Sequence, residues 1–164
     1  MFMSDDPLAL NRVVLRAVSG IGVVNINRWE REVKYTLSPR DVPSLNKERY
    51  LAYEWRSGEA RVLNLDEKVE GVLEGLDFNF FLAPVEEGLA FIGNTKKILS
   101  PRSIKRIQKA ENGYLVFLEE EGSVMLYSDR KIELYSLDGR VLRAIRKGPL
   151  HPVDAPAIFR VRMS

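Results

Sequence analysis

The stretch from Glu111 to Ile145, ENGYLVFLEEEGSVMLYSDRKIELYSLDGRVLRAI, decides the fold. It holds four short runs, Tyr114–Leu118, Val124–Tyr127, Lys131–Tyr135 and Arg140–Ile145, each rich in β-branched, aromatic or other apolar residues. Between them stand Glu121-Gly122, Ser128-Asp129-Arg130 and Leu137-Asp138-Gly139, the residue types that reverse a chain. Short runs at this spacing with such turns predict the antiparallel strands of a sandwich or barrel.

The same pattern extends in both directions. Arg12–Val18 and Ile21–Asn27 flank Ser19-Gly20 and read as a hairpin turning on that pair. Glu32–Ser38 alternates polar and apolar residues until Pro39 stops it. Glu48–Arg56 and Glu59–Leu63 form a second predicted hairpin around Ser57-Gly58, and further strands fit Lys68–Leu73, Phe78–Ala83, Leu89–Ile92, Ser103–Gln108 and Ala157–Val161. Helix is predicted in two brief places, a turn over Asp5–Asn11 and a start at Ser100-Pro101. The expected fold is therefore all-β, an antiparallel β-sandwich of Greek-key type with roughly a dozen short strands. No period of 20 to 50 residues recurs, which excludes a solenoid or propeller.

With 164 residues, 45% of them hydrophobic, the chain is expected to form one domain over residues 1–164, with fraying at 1–6 and 160–164. It contains no cysteine, which removes disulfides, thiolate nucleophiles and cysteine metal sites and fits a reducing cytoplasm. The acidic start MFMSDDP lacks the basic and apolar regions of a secretory signal, and no apolar run is long enough to cross a bilayer, so the expectation is a cytoplasmic protein with no membrane partner. The formal charge of +2 is too small to demand a polyanion, and no nucleic-acid partner is expected. Acids dominate from Asp66 to Glu87, while Lys96–Lys109 and Arg140–Arg162 are basic; a polyanion-binding role for Lys96–Lys109 is the weakest of three readings.

Catalytic chemistry has little to stand on. One histidine, His151, cannot build a zinc site or complete a triad, and its setting in GPLHP reads as a surface loop. There is no nucleophile elbow, no phosphate-cradling glycine loop and no calcium loop, so no catalytic residue, metal or cofactor is expected. Neighbouring acids at Asp66/Glu67, Glu86/Glu87 and Glu119–Glu121 fall in predicted turns, where carboxylates are simply solvated. Sugar faces need an exposed aromatic ring edged by hydrogen-bonding groups. Asn27, Arg28 and Trp29 supply that combination just after a strand, making them the candidate carbohydrate-binding residues; Tyr53 and Trp55, two apart on one sheet face, read as core.

Several segments, in order, resemble the C-terminal part of the raffinose synthase and alkaline α-galactosidase (seed imbibition protein) family of glycoside hydrolases. They are Asp6-Pro7-Leu8 with the apolar strand and GIGVVN at Gly20–Asn25, LSPRDV at Leu37–Val42, and YEWRSGE at Tyr53–Glu59, the most specific of them. FLAPV at Phe81–Val85, LAFIG at Leu89–Gly93 and the Gly122 to Tyr127-Ser128 element follow. The resemblance implies a β-sandwich of the kind that follows the family's catalytic barrel, with the catalytic aspartates upstream of the matched region. It departs from the family at Asn94–Arg102, where relatives carry a glycine-rich insertion, and at Asn27–Glu30, where they carry a cysteine motif. The expected role is that of a non-catalytic accessory subunit on a separately encoded barrel chain. The alternative is a stand-alone carbohydrate-binding module that takes oligosaccharide on Trp29.

Overall fold

Alternating apolar and polar residues give each short run one face to bury, and strands meet that demand with almost no helix. The computed structural model describes residues 8–14, 19–25, 33–42, 45–73, 78–97, 100–146 and 148–163. Within them lie β1 (Leu8–Val14), β2 (Ser19–Asn25), β3 (Val33–Leu37), β4 (Arg49–Glu54), β5 (Ala60–Asn64), β6 (Val69–Leu73) and β7 (Phe78–Pro84). Then follow β8 (Leu89–Gly93), β9 (Ile104–Ala110), β10 (Gly113–Leu118), β11 (Gly122–Ser128), β12 (Ile132–Ser136), β13 (Val141–Ile145), β14 (Gly148–Ala155) and β15 (Ile158–Met163). Every strand pair is antiparallel, and helix among the described residues amounts to single 3-10 turns at Pro39–Asp41 and Ser100–Ser103. The fold is all-β and sandwich-like.

The pairings repeat. In the first half, β4:β5 is nested inside β3:β6, which is nested inside β2:β7. In the second, β12:β13 is nested inside β11:β14 and that inside β10:β15. Each set rolls up so that its last strand lies beside its innermost hairpin, β7 on β4 and β15 on β12. The resulting sheets run β1-β2-β7-β4-β5 and β9-β10-β15-β12-β13, one order written twice, with small sheets β3-β6 and β8-β11-β14 opposite them. Nested hairpins rolled in this way are the jelly-roll form of a Greek-key sandwich.

Three apolar cores join four layers. Tyr35, Leu37, Tyr50, Ala52, Leu63 and Leu82 fill the space between β3-β6 and the first five-stranded sheet. The far face of that sheet, through Leu51, Tyr53, Phe81 and Ala83, packs on Ala90 and Ile92 of β8 and on Met125 and Tyr127 of β11. The opposite face of the three-stranded sheet, through Phe91, Val124 and Leu126, packs on Val116, Leu134, Phe159 and Val161 of the second five-stranded sheet. Inner strands are therefore apolar on both faces. All five residues of β8 and the last five of β4 are buried, as strands covered twice must be.

Four local expectations need correction. The first hairpin does not turn at Ser19-Gly20: those residues open β2, opposite Val14 and Val13. Gly20 also faces Phe81 of β7, and a strand glycine flanked on both sides marks close backbone packing as readily as a turn. Leu8–Asn11 belongs to β1 rather than to a helical turn. β14 was hidden by Pro149 and Pro152, which an edge strand tolerates because one row of its amides has no partner. Residues 160–163, read from sequence as a chain end outside the core, complete β15, between β10 and β12, and bury Val161.

Candidate functional site

Edge strands β8 and β9 belong to facing sheets, and the opening between them is a groove of about 790 Å³ at the seam of the two halves. Leu89, Phe91, Ile104 and Tyr114 line its floor, with Phe91 and Tyr114 in edge-to-face contact at 6.1 Å. A β-bulge shapes one wall. Arg106 pairs with Phe117 while Ile104 pairs with Leu118, so Lys105 is the extra residue, and Ile104 and Ile107 both reach the core although three apart.

The opposite rim is the β7–β8 turn. Glu86 and Leu89 exchange two backbone hydrogen bonds of 2.8 Å around Glu87 and Gly88, whose φ values of 50° and 84° are those of a two-residue type I′ turn. Glycine is required at the second place on two counts, since a Cβ on Gly88 would also fall 1.8 Å from Asp129 Oδ1. The Asp129 amide donates to the Gly88 carbonyl at 2.9 Å, which ties this turn to the β11–β12 connection.

Four charges on the rim are paired. Lys47 Nζ lies 2.8 Å from Glu86 Oε1, Lys109 Nζ contacts Glu87 Oε1, and the Tyr114 hydroxyl donates to Glu87 Oε2 at 3.3 Å. The hydrogen bond from Lys109 holds the Glu87 carboxyl below its usual range against a smaller opposing effect of desolvation. Burial, then the negative charge of Glu87 and Glu86, pushes the Tyr114 phenol up to about 12, so it remains a donor. Arg102 and Lys105, also on the rim, form no ion pair among the described residues. The groove can thus hold a ligand by apolar contact and hydrogen bonds, and Glu86 and Glu87 are ion-paired rather than simply solvated as their turn position suggested.

A second cavity, about 480 Å³, opens at the mouth of the first sandwich beside Tyr35, Ala52, Glu54, Arg61 and Val69. Its buried Glu54 carboxylate accepts the backbone amides of Arg56 at 2.9 Å and Ser57 at 2.7 Å, which organises the β4–β5 turn. Burial, then the negative charge of Glu54, raises the Tyr35 phenol, and Arg61 opposes this.

Asn27, Arg28 and Trp29 lie outside the described residues. Tyr53 is buried and stacked on Phe81 at 6.5 Å, while Trp55 packs on the same core and its indole donates to the Thr95 carbonyl at 3.0 Å, as their core reading expected. His151 is not in a surface loop: it is a half-buried residue of β14 opposite Leu126. The basic run Lys96–Lys109 is divided, with Lys97 on Glu120 at 2.5 Å, Lys109 on Glu87 and Arg106 over the Phe117 ring. Among the described residues, no three His, Asp or Glu side chains gather as metal ligands, and no helix is long and apolar enough to cross a membrane. The seam groove escaped sequence reasoning because its floor comes from three strands and its rim from a turn. No protein-family model matches the chain, and no curated protein matches it.

Proposed function

We propose that this chain is a non-catalytic accessory β module of an α-galactosidase-like or raffinose synthase-like glycoside hydrolase, packing on a separately encoded catalytic barrel. The observation that carries the reading is the architecture, an antiparallel β-sandwich stack of the kind the resemblance implies beyond such a barrel. The resembling segments at Leu37–Val42, Tyr53–Glu59 and Leu89–Gly93 are parts of that stack. Commitment of Glu54 to backbone amides, and of Glu86 and Glu87 to lysines, supports a binding and bracing role over acid–base work. The choice of a glycoside hydrolase as the braced body rests on the resemblance alone.

Bracing has a physical measure. An interface of about 1,600 Å² removes apolar surface from water at about 25 cal/mol per Å², enough to stabilise a partner and fix the border of its cleft. The purified chain is expected to leave a chromogenic α-galactoside intact, and to co-elute with a barrel chain encoded in the adjoining reading frame while raising that chain's melting temperature. Turnover by the chain alone, or an adjoining barrel that ignores it, would sink the reading.

A further inference from the structure

Among the described residues, nothing covers the outer face of the second five-stranded sheet. Strand alternation sends Tyr114, Val116, Leu134, Phe159 and Val161 into the core, and the intervening residues outward. Register places the outward ones side by side: Phe117 opposite Arg106, Tyr135 opposite Arg160, and Glu133 opposite Arg162. The three arginines are exposed and the two rings partly so. The Arg106 guanidinium lies 4.1 Å over the Phe117 ring, Arg162 opposes the upward shift that the hydrogen bond to Glu133 gives the Tyr135 phenol, and Arg160 forms no ion pair among the described residues. Glu133 is the one acid in this array, and it accepts the Tyr135 hydroxyl.

We propose that this face binds single-stranded nucleic acid, a capacity that goes beyond the accessory-module reading and does not depend on it. Three guanidiniums interleaved with two aromatic rings give phosphates their counter-charges and give unpaired bases a surface to stack on. Duplex DNA does not fit the same face. Five strands about 4.8 Å apart make a surface broader than the roughly 12 Å major groove, which admits a helix or a two-stranded ribbon. An acidic protein surface would satisfy the arginines and leave the rings without a specific task.

The test is fluorescence anisotropy of the whole chain with labelled oligothymidylate and oligouridylate of about 12 nucleotides. Affinity is expected to fall as salt rises, with the slope of log K against log salt shallower by about 0.7 in Arg160→Gln. Phe117→Leu and Tyr135→Leu, which keep apolar contact with the sheet, should each weaken binding about tenfold. Thermal melts confirm that each variant is folded, and Arg160→Gln at an exposed position keeps the experiment decisive if a ring variant unfolds. The proposal is overturned by absence of binding at low salt, or by ring variants that bind like the parent. Equal affinity for a duplex or heparin overturns it in favour of charge attraction alone, and equally effective competition by polyglutamate in favour of an acidic protein surface.

Discussion

Residues 8–84 and residues 104–163 wind seven strands into the same order, yet they use the outer faces of their large sheets in opposite ways. Register makes the comparison residue by residue. In the first half, Leu51 lies opposite Ala83 and Tyr53 opposite Phe81; at the corresponding places in the second, Glu133 lies opposite Arg162 and Tyr135 opposite Arg160. The first set is covered by the three-stranded sheet and buried, whereas the second faces outward. Topology thus fixes which residues share a face, and position in the stack fixes whether that face is apolar.

The largest effect should come from exchanging those faces. Phe81→Arg places a cation in the core between the sheets, 3% exposed in the parent, and should cost more than about 4 kcal/mol, enough to unfold the chain. Arg160→Phe, its counterpart, should change stability by less than about 0.5 kcal/mol and instead promote self-association. Equal tolerance of both by thermal and denaturant melts would break the comparison.

A second variant asks whether the halves unfold together. Ile92 of β8 is fully buried at their junction, so Ile92→Ala should cost about 2–4 kcal/mol through lost burial and a residual cavity. One shifted transition, seen by both tryptophan fluorescence and far-ultraviolet circular dichroism, is the expected result. Two separated transitions would mean that the junction does not couple the cores.

Equivalent turns should respond alike. Gly58 and Gly139 close the innermost hairpins with φ of 72° and 88°, and a Cβ at either meets nothing within 4 Å. Alanine at each should therefore cost about 1–2 kcal/mol from backbone strain alone. Markedly unequal losses would show that the two hairpins differ in more than their outward residues.

What could be read from sequence divides along a physical line. Strand positions and most turns were legible because alternation and turn chemistry are local, as in Glu86-Glu87-Gly88 and Leu137-Asp138-Gly139. β14 was not, because Pro152 reads as a breaker until pairing with Met125 places it on an edge strand. The doubled topology was hidden as well, because it is carried by pairing order while corresponding side chains differ, Phe81 against Arg160 being the clearest case. Sites built from several strands were the least legible. Lys47, Glu87, Lys109 and Tyr114 are scattered along the chain, and only folding brings them to one groove. Arg106 and Arg160 likewise belong to separate basic runs that the second sheet places on one face.

The smallest expected effect concerns protons. Burial raises phenols in both halves, Tyr35 and Tyr53 in the first and Tyr114 in the second, where Glu87 and Glu86 add negative charge and the value reaches about 12. A folded-state value above the ordinary 10.0 means that the folded chain favours the neutral phenol. The stability this contributes is complete below pH 10 and is lost as pH rises towards 12. Tyr114→Phe should consequently flatten the alkaline decline, while lowering stability at neutral pH through loss of the hydroxyl that donates to Glu87. Phenolate absorbance supplies the direct check, because the last tyrosine to ionise in the folded chain should vanish from the titration of this variant. A titration that keeps its late step would assign that step to another phenol, and the seam groove would lose the neutral donor assigned to it at high pH.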